Sequence, residues 1–238
     1  MNIALIGYGK MGKEIEQIAL SRGHQIVLKV DVNNANSYSA DELKKADVAI
    51  EFSTPESAIK NIYKCFEANV PVVVGTTGWL EKLNEVKQQC EQQKQTLFYA
   101  SNYSIGVNLF FQLNKQLAKL MNGYNEYNVS MEEIHHVHKL DAPSGTAISL
   151  ANQIIENNAG KQKWVNNLSQ NNTELGIISK RIDEVPGTHT VTYSSAVDEI
   201  SITHIAHNRK GFALGAVIAA EWVKDKKGVF GMDELMNF

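Results

Sequence analysis

Cysteine and proline are scarce in this chain: two and four residues respectively among 238. Cys65 and Cys90 stand alone, with no C-x-x-C spacing, so a disulfide framework and a thiolate metal site are both excluded and two buried or idle thiols are expected. The few prolines, and sixteen glycines dispersed through charge of mixed sign, leave no low-complexity tract, collagen-like period or charged tail. An excess of positive charge is also missing. With 23 basic and 26 acidic residues the formal charge is −3, which gives no basic surface for tracking phosphate backbones, and nucleic acid is not an expected partner. No long apolar run occurs either: the N-terminal one stops at Gly7, too short for a signal peptide or a bilayer span, so no membrane association and a cytoplasmic location are expected. What is present, 43% hydrophobic and 21% charged residues, suffices for one sizeable core or two modest ones.

From residue 1 to about 103, short apolar runs (Asn2–Ile6, Gln25–Val30, Val48–Phe52, Pro71–Val74, Thr96–Ala100) alternate with amphipathic stretches. That rhythm predicts βαβ units and a Rossmann-like α/β domain. Thr54-Pro55-Glu56 reads as a helix start, with a capping hydroxyl, a proline at the first helical position and a first-turn acid. Ser53 and Thr54 therefore fall where a strand ends and a helix begins, the ligand-binding edge of an open α/β sheet. The second half differs. Helices are expected over about 106–122, 145–157 and 212–223, and strands over Tyr127–His136, Gly176–Ile182, Thr188–Ser195 and Glu199–His207, with an Asn-rich loop at 165–173. Strands that follow one another without helices argue for a second, α+β domain on a mixed, mostly antiparallel sheet.

Gly7-Tyr8-Gly9-Lys10-Met11-Gly12 fits G-x-G-x-x-G between a strand and a helix. The first glycine takes a tight turn, the second lets backbone approach a pyrophosphate, and the third lets helix and strand pack closely, while the helix N-terminus faces the phosphates. Asp31 closes the second strand, where a carboxylate accepts from ribose hydroxyls. It also opposes the 2′-phosphate of NADP, and Val32, Asn33 and Asn34 after it carry no compensating charge. NADH and NADPH both remain cofactor candidates, with NADH favoured; Lys29, two positions before Asp31, is the nearest cation.

Six of seven histidines follow residue 134, three of them within Glu133-Ile134-His135-His136-Val137-His138-Lys139-Leu140-Asp141-Ala142-Pro143-Ser144-Gly145-Thr146. Imidazoles, an ammonium and a carboxylate so close together can move protons near neutral pH. The helix beginning at Gly145 offers unpaired N–H groups to an anion, which suggests a carboxylate substrate. On a continuing strand His136 and His138 would share a face and could begin a zinc site, but no third ligand completes it, and no metal is expected. A surface cluster of polar residues is the plainer alternative.

These motifs, together with Gly75-Thr76-Thr77-Gly78 and Ala100-Ser101-Asn102-Tyr103-Ser104, resemble those of the 4-hydroxy-tetrahydrodipicolinate reductase family, also called dihydrodipicolinate reductase, over nearly the whole chain. The segment from His135 to Ala147 is the most specific part of the match. The resemblance implies a dinucleotide-binding domain from residues 1–103 plus 212–238 and a substrate-binding and oligomerisation domain from 104–211, assembled as a homotetramer. It implies NAD(P)H-dependent reduction of a cyclic dicarboxylate, 4-hydroxy-tetrahydrodipicolinate, to tetrahydrodipicolinate in the diaminopimelate route to lysine. On the same basis His135 and Lys139 are catalytic proton carriers, and His136, Gly145 and Thr146 bind substrate. The cofactor contacts would be Gly7, Tyr8, Gly9, Lys10, Met11, Gly12, Asp31, Gly75, Thr76, Thr77, Ala100, Ser101, Asn102 and Tyr103. The stretch Arg181–His189 follows the family's arginine-to-Gly-x-His pattern only in part. A different NAD(P)-dependent dehydrogenase would explain the first hundred residues but not the histidine-lysine segment; a dinucleotide sensor without turnover would not need it.

Overall fold

The computed structural model describes residues 1–208 and 210–238. They divide into two compact units, Met1–Ile105 with Lys210–Phe238, and Gly106–Arg209. In chain order the elements are β1 (Asn2–Ile6), α1 (Lys10–Ser21), β2 (Gln25–Val30), α2 (Ala40–Leu43), β3 (Val48–Glu51), α3 (Pro55–Glu67), β4 (Val72–Val74), α4 (Leu83–Gln92), β5 (Thr96–Tyr99), α5 (Ile105–Met121), β6 (Asn128–His135), α6 (Gly145–Asn157), β7 (Lys163–Val165), β8 (Glu174–Arg181), β9 (Gly187–Ser194), β10 (Glu199–Ala206), α7 (Lys210–Val223), β11 (Gly228–Phe230) and α8 (Met232–Met236).

The first unit is a six-stranded sheet in the order β11-β5-β4-β3-β1-β2, and each pairing in it is parallel. Its inner strands are apolar on both faces because both are covered, as a parallel sheet requires. Ala4, Ile6, Ala49, Val72, Val74 and Leu97 pack on one side with Ala58, Ile62 and Cys65 of α3 and Val86 and Cys90 of α4. Ile3, Leu5, Val48, Ile50, Val73 and Phe98 pack on the other with Ile15 and Ala19 of α1 and five small residues of α7, from Ala213 to Ala220. The alternation follows the period of two along a strand. Both thiols are free and buried. The strand order doubles back at β1, with β2 on one flank and β3 on the other, so the loops after β1 and β3 diverge and leave a crevice at the carboxyl edge.

The second unit is a five-stranded sheet in the order β10-β9-β6-β8-β7. It is mixed, as expected, with two antiparallel pairings (β10 with β9, β9 with β6) and two parallel ones (β6 with β8, β8 with β7). The parallel half exceeds the expectation because α6 carries the chain back over the sheet after β6, a crossover that makes the next strands parallel to it. β7 itself, three residues long, is too short to produce a periodic signal. Val129, Met131, Leu175, Ile177, Val191 and Tyr193 face Phe110, Ala118, Leu150, Ala151 and Ile154 of α5 and α6. The opposite face carries Ser130, Glu132 and Ile134 of β6 beside Ile178 and Lys180 of β8. On β9 and β10 it continues as threonine and serine pairs, Thr190 with Thr203 and Thr192 with Ser201, whose hydroxyls are 3.1 and 2.9 Å apart, and ends at the exposed Ile205. Among the described residues no helix is long and apolar enough to cross a membrane.

Candidate active site

In the first unit the glycine loop is shaped by what a side chain would strike. Gly7 has φ +99°, and a Cβ there would come within 1.9 Å of the Phe52 carbonyl oxygen, while one on Gly12 would lie 2.4 Å from the Gly7 carbonyl oxygen. Beside Gly9 there is open space. Gly9 is also the N-cap of α1 and makes no side-chain cap, which leaves first-turn N–H groups for an anion. Gly7 and Tyr8 donate their backbone N–H groups to the Val30 carbonyl at 2.9 and 2.8 Å, tying the loop to the end of β2. Lys10 is exposed at the first position of α1, and Met11 is half-buried against the core.

The loop forms one wall of a cavity of about 600 Å³. Asp31 stands in its lining, its carboxylate accepting from the Asn33 backbone N–H at 2.8 Å. Lys29, the expected nearest cation, is committed elsewhere: its ammonium is 2.6 Å from Glu16 and lies over the Tyr8 ring, and the Tyr8 hydroxyl also bonds Glu16. The cation that shares the cavity with Asp31 is Lys60 of α3, which donates to Asn36 at 3.5 Å. Sequence reading passed over Lys60 because a lysine on an amphipathic helix carries no signal by itself.

Below the cavity lies a polar chain. Glu51, fully buried, is bonded by the Ser53 hydroxyl and by Asn61 Nδ2 at 3.1 Å, and the Tyr38 hydroxyl donates to Asn61 Oδ1 at 2.7 Å. Burial lifts the Glu51 carboxyl above its ordinary range, against the opposing hydrogen bonds of Ser53, Thr76 and Asn61. Thr76 Oγ1 accepts from the Ser53 N–H at 2.8 Å, and its carbonyl accepts from Trp79 Nε1 at 2.7 Å. Gly75 is required by the Phe52 ring, 2.0 Å from where its Cβ would be. Thr77 and Ser101 are exposed, Ala100 is buried, and Asn102 Oδ1 accepts from the Ser104 N–H at 2.9 Å. Tyr103 is placed differently from a ligand contact: its ring is buried against Phe52 and Phe98, and its hydroxyl donates to the Val74 carbonyl at 2.7 Å.

In the second unit β6 ends at His135, and His136 to His138 enter a turn. The shared strand face expected of His136 and His138 is therefore absent, although their rings remain 6.1 Å apart. Glu133 and His135, two residues apart, both point to the helix-covered face. Glu133 lies against His135 Nδ1, and its other oxygen accepts from Arg181 Nη2 at 3.1 Å. Arg181 also donates to the carbonyls of Lys139 (3.3 Å) and Asp141 (2.6 Å), bracing the loop after the strand. Lys139 Nζ is held by both Asp141 oxygens at 2.7 and 2.9 Å. That bond holds the Asp141 carboxyl below its ordinary range.

His189 of β9 crosses His135 edge-to-face at 5.1 Å, and its Nε2 is 3.1 Å from the Ser144 hydroxyl. Ser144 caps α6 by accepting from the Ala147 N–H at 3.2 Å, so its own proton is available to His189 Nε2. Burial, then the neighbouring His135, push the His189 imidazole down to about 4. Burial acts on Glu133 too, upwards, but the bonds from His135, Ser179 and Arg181 prevail and hold it at about 2. Gly145 opens α6 on the surface and Thr146 is half-buried beside it, with no acid in the first turn.

Glu133, His135 and His189 bring possible metal-ligating atoms within 4.8 Å of one another. One Glu133 oxygen is taken by the imidazole and the other by a guanidinium, whose fixed charge opposes a cation at the same spot. The arrangement is a buried cluster of paired ionisable groups joined through His189 to Ser144 at the start of α6.

Residues 1–103 match the family model described as dihydrodipicolinate reductase, N-terminus, and residues 106–236 the one described as dihydrodipicolinate reductase, C-terminus. The chain belongs to the dihydrodipicolinate reductase family. It is 50% identical over 237 residues to the 4-hydroxy-tetrahydrodipicolinate reductase of Christiangramia forsetii, covering 100% of this chain and 98% of the relative. To that of Archaeoglobus fulgidus it is 33% identical over 262 residues, covering all of both. A solved dihydrodipicolinate reductase from Paenisporosarcina sp. TG-14, with dipicolinate bound, superposes with a TM-score of 0.75 over 97% of each chain at 23% identity, a likeness of fold. As a dihydrodipicolinate reductase family member the chain is an oxidoreductase on a Rossmann-type scaffold. Sequence reading of this family member named His135 and Lys139 but missed Glu133 and His189. The strand alternation that puts Glu133 beside His135 was the available signal for one; His189, more than fifty residues further on, was marked only as the end of the Arg181–His189 stretch.

Proposed function

We propose that the chain reduces 4-hydroxy-tetrahydrodipicolinate to tetrahydrodipicolinate with NAD(P)H, in the diaminopimelate route to lysine and in the cytoplasm. NAD(P)H supplies the hydride when bound. The glycine loop suits it: Gly9 leaves open space before an uncapped helix end, next to a cavity sized for a nucleoside. In this reading Gly7 to Gly12 hold the pyrophosphate and Asp31 accepts from the adenosine ribose. Backbone and hydroxyl groups of Gly75, Thr76, Thr77, Ala100, Ser101 and Asn102 orient the nicotinamide side, with Tyr103 as the floor beneath them. NADH is used at least as well as NADPH, because Asp31 opposes a 2′-phosphate and Lys60 offsets that only in part.

The substrate is a dianion, and His136, Gly145 and Thr146 hold its carboxylates at the start of α6. Water leaves, one hydride is gained, and one proton must reach the neighbouring carbon. His135 and Lys139 handle that proton. The observation that carries the reading is the pairing of a buried, carboxylate-backed His135 with Lys139 four residues on, in a segment that runs directly into the start of α6. A homotetramer built on the second unit is part of the same reading, supported by the sheet face of threonine, serine and isoleucine opposite α5 and α6. The decisive assay follows NADH and NADPH oxidation with the condensation product of aspartate semialdehyde and pyruvate made in situ. Turnover dependent on that product is expected, and none with either nucleotide overturns the reading.

A further inference from the structure

Glu133 has no solvent exposure, and an isolated carboxylate in that position is too costly to persist without partners. Its two charged or ionisable partners are His135 and Arg181, and through Arg181 it is tied to the backbone of the loop that carries Lys139. The other faces of His135 are also defined. His189 covers one edge. On the Nε2 side, a Cβ on Gly187 would lie 3.0 Å away, so the glycine keeps that nitrogen clear.

We propose that Glu133 is a positioning residue for His135: its carboxylate, braced by Arg181, holds the Nδ1 proton of the imidazole, so that Nε2, beside Gly187, is the atom that exchanges a proton with substrate. Resting on the reading of His135 as a proton carrier, the assignment adds the tautomer, the orientation and the counter-charge. A carboxylate behind an imidazole selects which nitrogen is free and stabilises the imidazolium that gives up the proton. The proton leaves Nε2 for the substrate carbon, the imidazole is left neutral with Nδ1–H on Glu133, and solvent reprotonates Nε2. The charged and titratable groups around His135 are Glu133 on its own strand, Arg181 from β8, His189 from β9 with His204 of β10 beyond it, and Lys139 and Asp141 in the following loop. Glu133 is the one whose charge directly contacts the imidazole.

Two measurements test this. In the wild-type protein, nitrogen-15 spectra of the histidine rings should show neutral His135 with its proton on Nδ1; a proton on Nε2 overturns the proposal, whatever the variants do. In Glu133→Gln, kcat should fall roughly 10²-fold with NADH affinity unchanged within about twofold. The fall-off of kcat/KM at high pH should move about one pH unit lower, because an imidazolium without its counter-charge loses its proton more readily. A variant with an unshifted profile means Glu133 serves packing alone and refutes the proposal. His135→Ala separates the two readings: near-wild-type turnover in it removes His135 as proton carrier, whereas an inactive His135→Ala with an unshifted Glu133→Gln profile removes only the role of Glu133.

Discussion

Acid should destabilise this protein through His189, and the amount can be worked from its surroundings. The imidazole is 4% exposed and is pushed from 6.5 down to about 4, by burial first and by His135 second. In the unfolded chain it regains its ordinary value. A base whose folded value is depressed binds its proton more readily when unfolded, so the native state has its full stability above about pH 6.5 and loses it as pH falls towards 4. The difference corresponds to about 3 kcal/mol, of which about 2–3 kcal/mol is lost between pH 7.5 and 4.5. So little exposure leaves solvent little room to reduce it. His189→Gln is the informative perturbation, since the amide oxygen can replace Nε2 as acceptor for Ser144 without titrating. Urea unfolding followed by circular dichroism at about pH 7.5 and 4.5 should show the variant weaker at the higher pH by about 1 kcal/mol, through imperfect packing, yet losing about 2 kcal/mol less than wild type on acidification. His204, also lowered by burial, is present in both proteins, so its own burial enters both pH dependences. Parallel pH dependences for the two proteins would refute the reasoning.

Other outcomes follow from the same geometry. His135→Ala and Lys139→Ala should each lower kcat by roughly 10²- to 10⁴-fold and leave fluorescence-titrated NADH affinity unchanged, and the double variant should be little worse than the poorer single one. Lys60→Ala should reduce kcat/KM for NADPH about tenfold, an effect of about 1.4 kcal/mol, and leave NADH nearly untouched; equal losses with both nucleotides would show that Lys60 meets a part they share. Thr146→Val should raise substrate KM more than it lowers kcat, as loss of uniform binding does; a fall in kcat alone would make the hydroxyl a transition-state group. Gly7→Ala should abolish NADH binding, because φ +99° and a Phe52 carbonyl 1.9 Å from the new methyl force the loop out of shape, and an unaltered Kd by titration would contradict that.

Local pattern carried much of this structure. The runs at Asn2–Ile6, Gln25–Val30 and Val48–Phe52 became β1, β2 and β3 within a residue: β1 and β3, buried on both faces, are written as unbroken apolar stretches, whereas β2 is an edge strand whose exposure alternates. The helix 145–157 was legible to the residue because Ser144 caps it and its apolar positions recur at helical spacing. β7 and β11, three residues each, are too short to leave a periodic trace, and β11 is held by pairing with the distant β5. At the site the dense segment after His135 was visible as chemistry. Its support by Arg181 was not, since Arg181 reaches Glu133 across the β6–β8 pairing; nor, in the first unit, was the sharing of one cavity by Lys60 and Asp31. Charge on a helix or strand end looks the same in a sequence whether it is solvated or converging on a neighbour.

The interrupted path of the chain has a consequence for biogenesis. The first unit is discontinuous: five of its six strands are laid down by residue 99, but α7 and β11 arrive only after the second unit has been made. Until then Ile3, Leu5, Ile50 and Phe98 lack the alanine-rich helix that covers them in the finished protein, and β5 lacks its neighbour β11. During synthesis the contiguous second unit, whose own helices α5 and α6 precede most of its strands, is the part able to close on itself first. The nascent parallel sheet meanwhile presents an open apolar face and an unpaired edge, the features that draw chaperones and favour aggregation. A ribosome stalled or a chain clipped before Lys210 would therefore release a compact second unit attached to an adhesive, incomplete sheet.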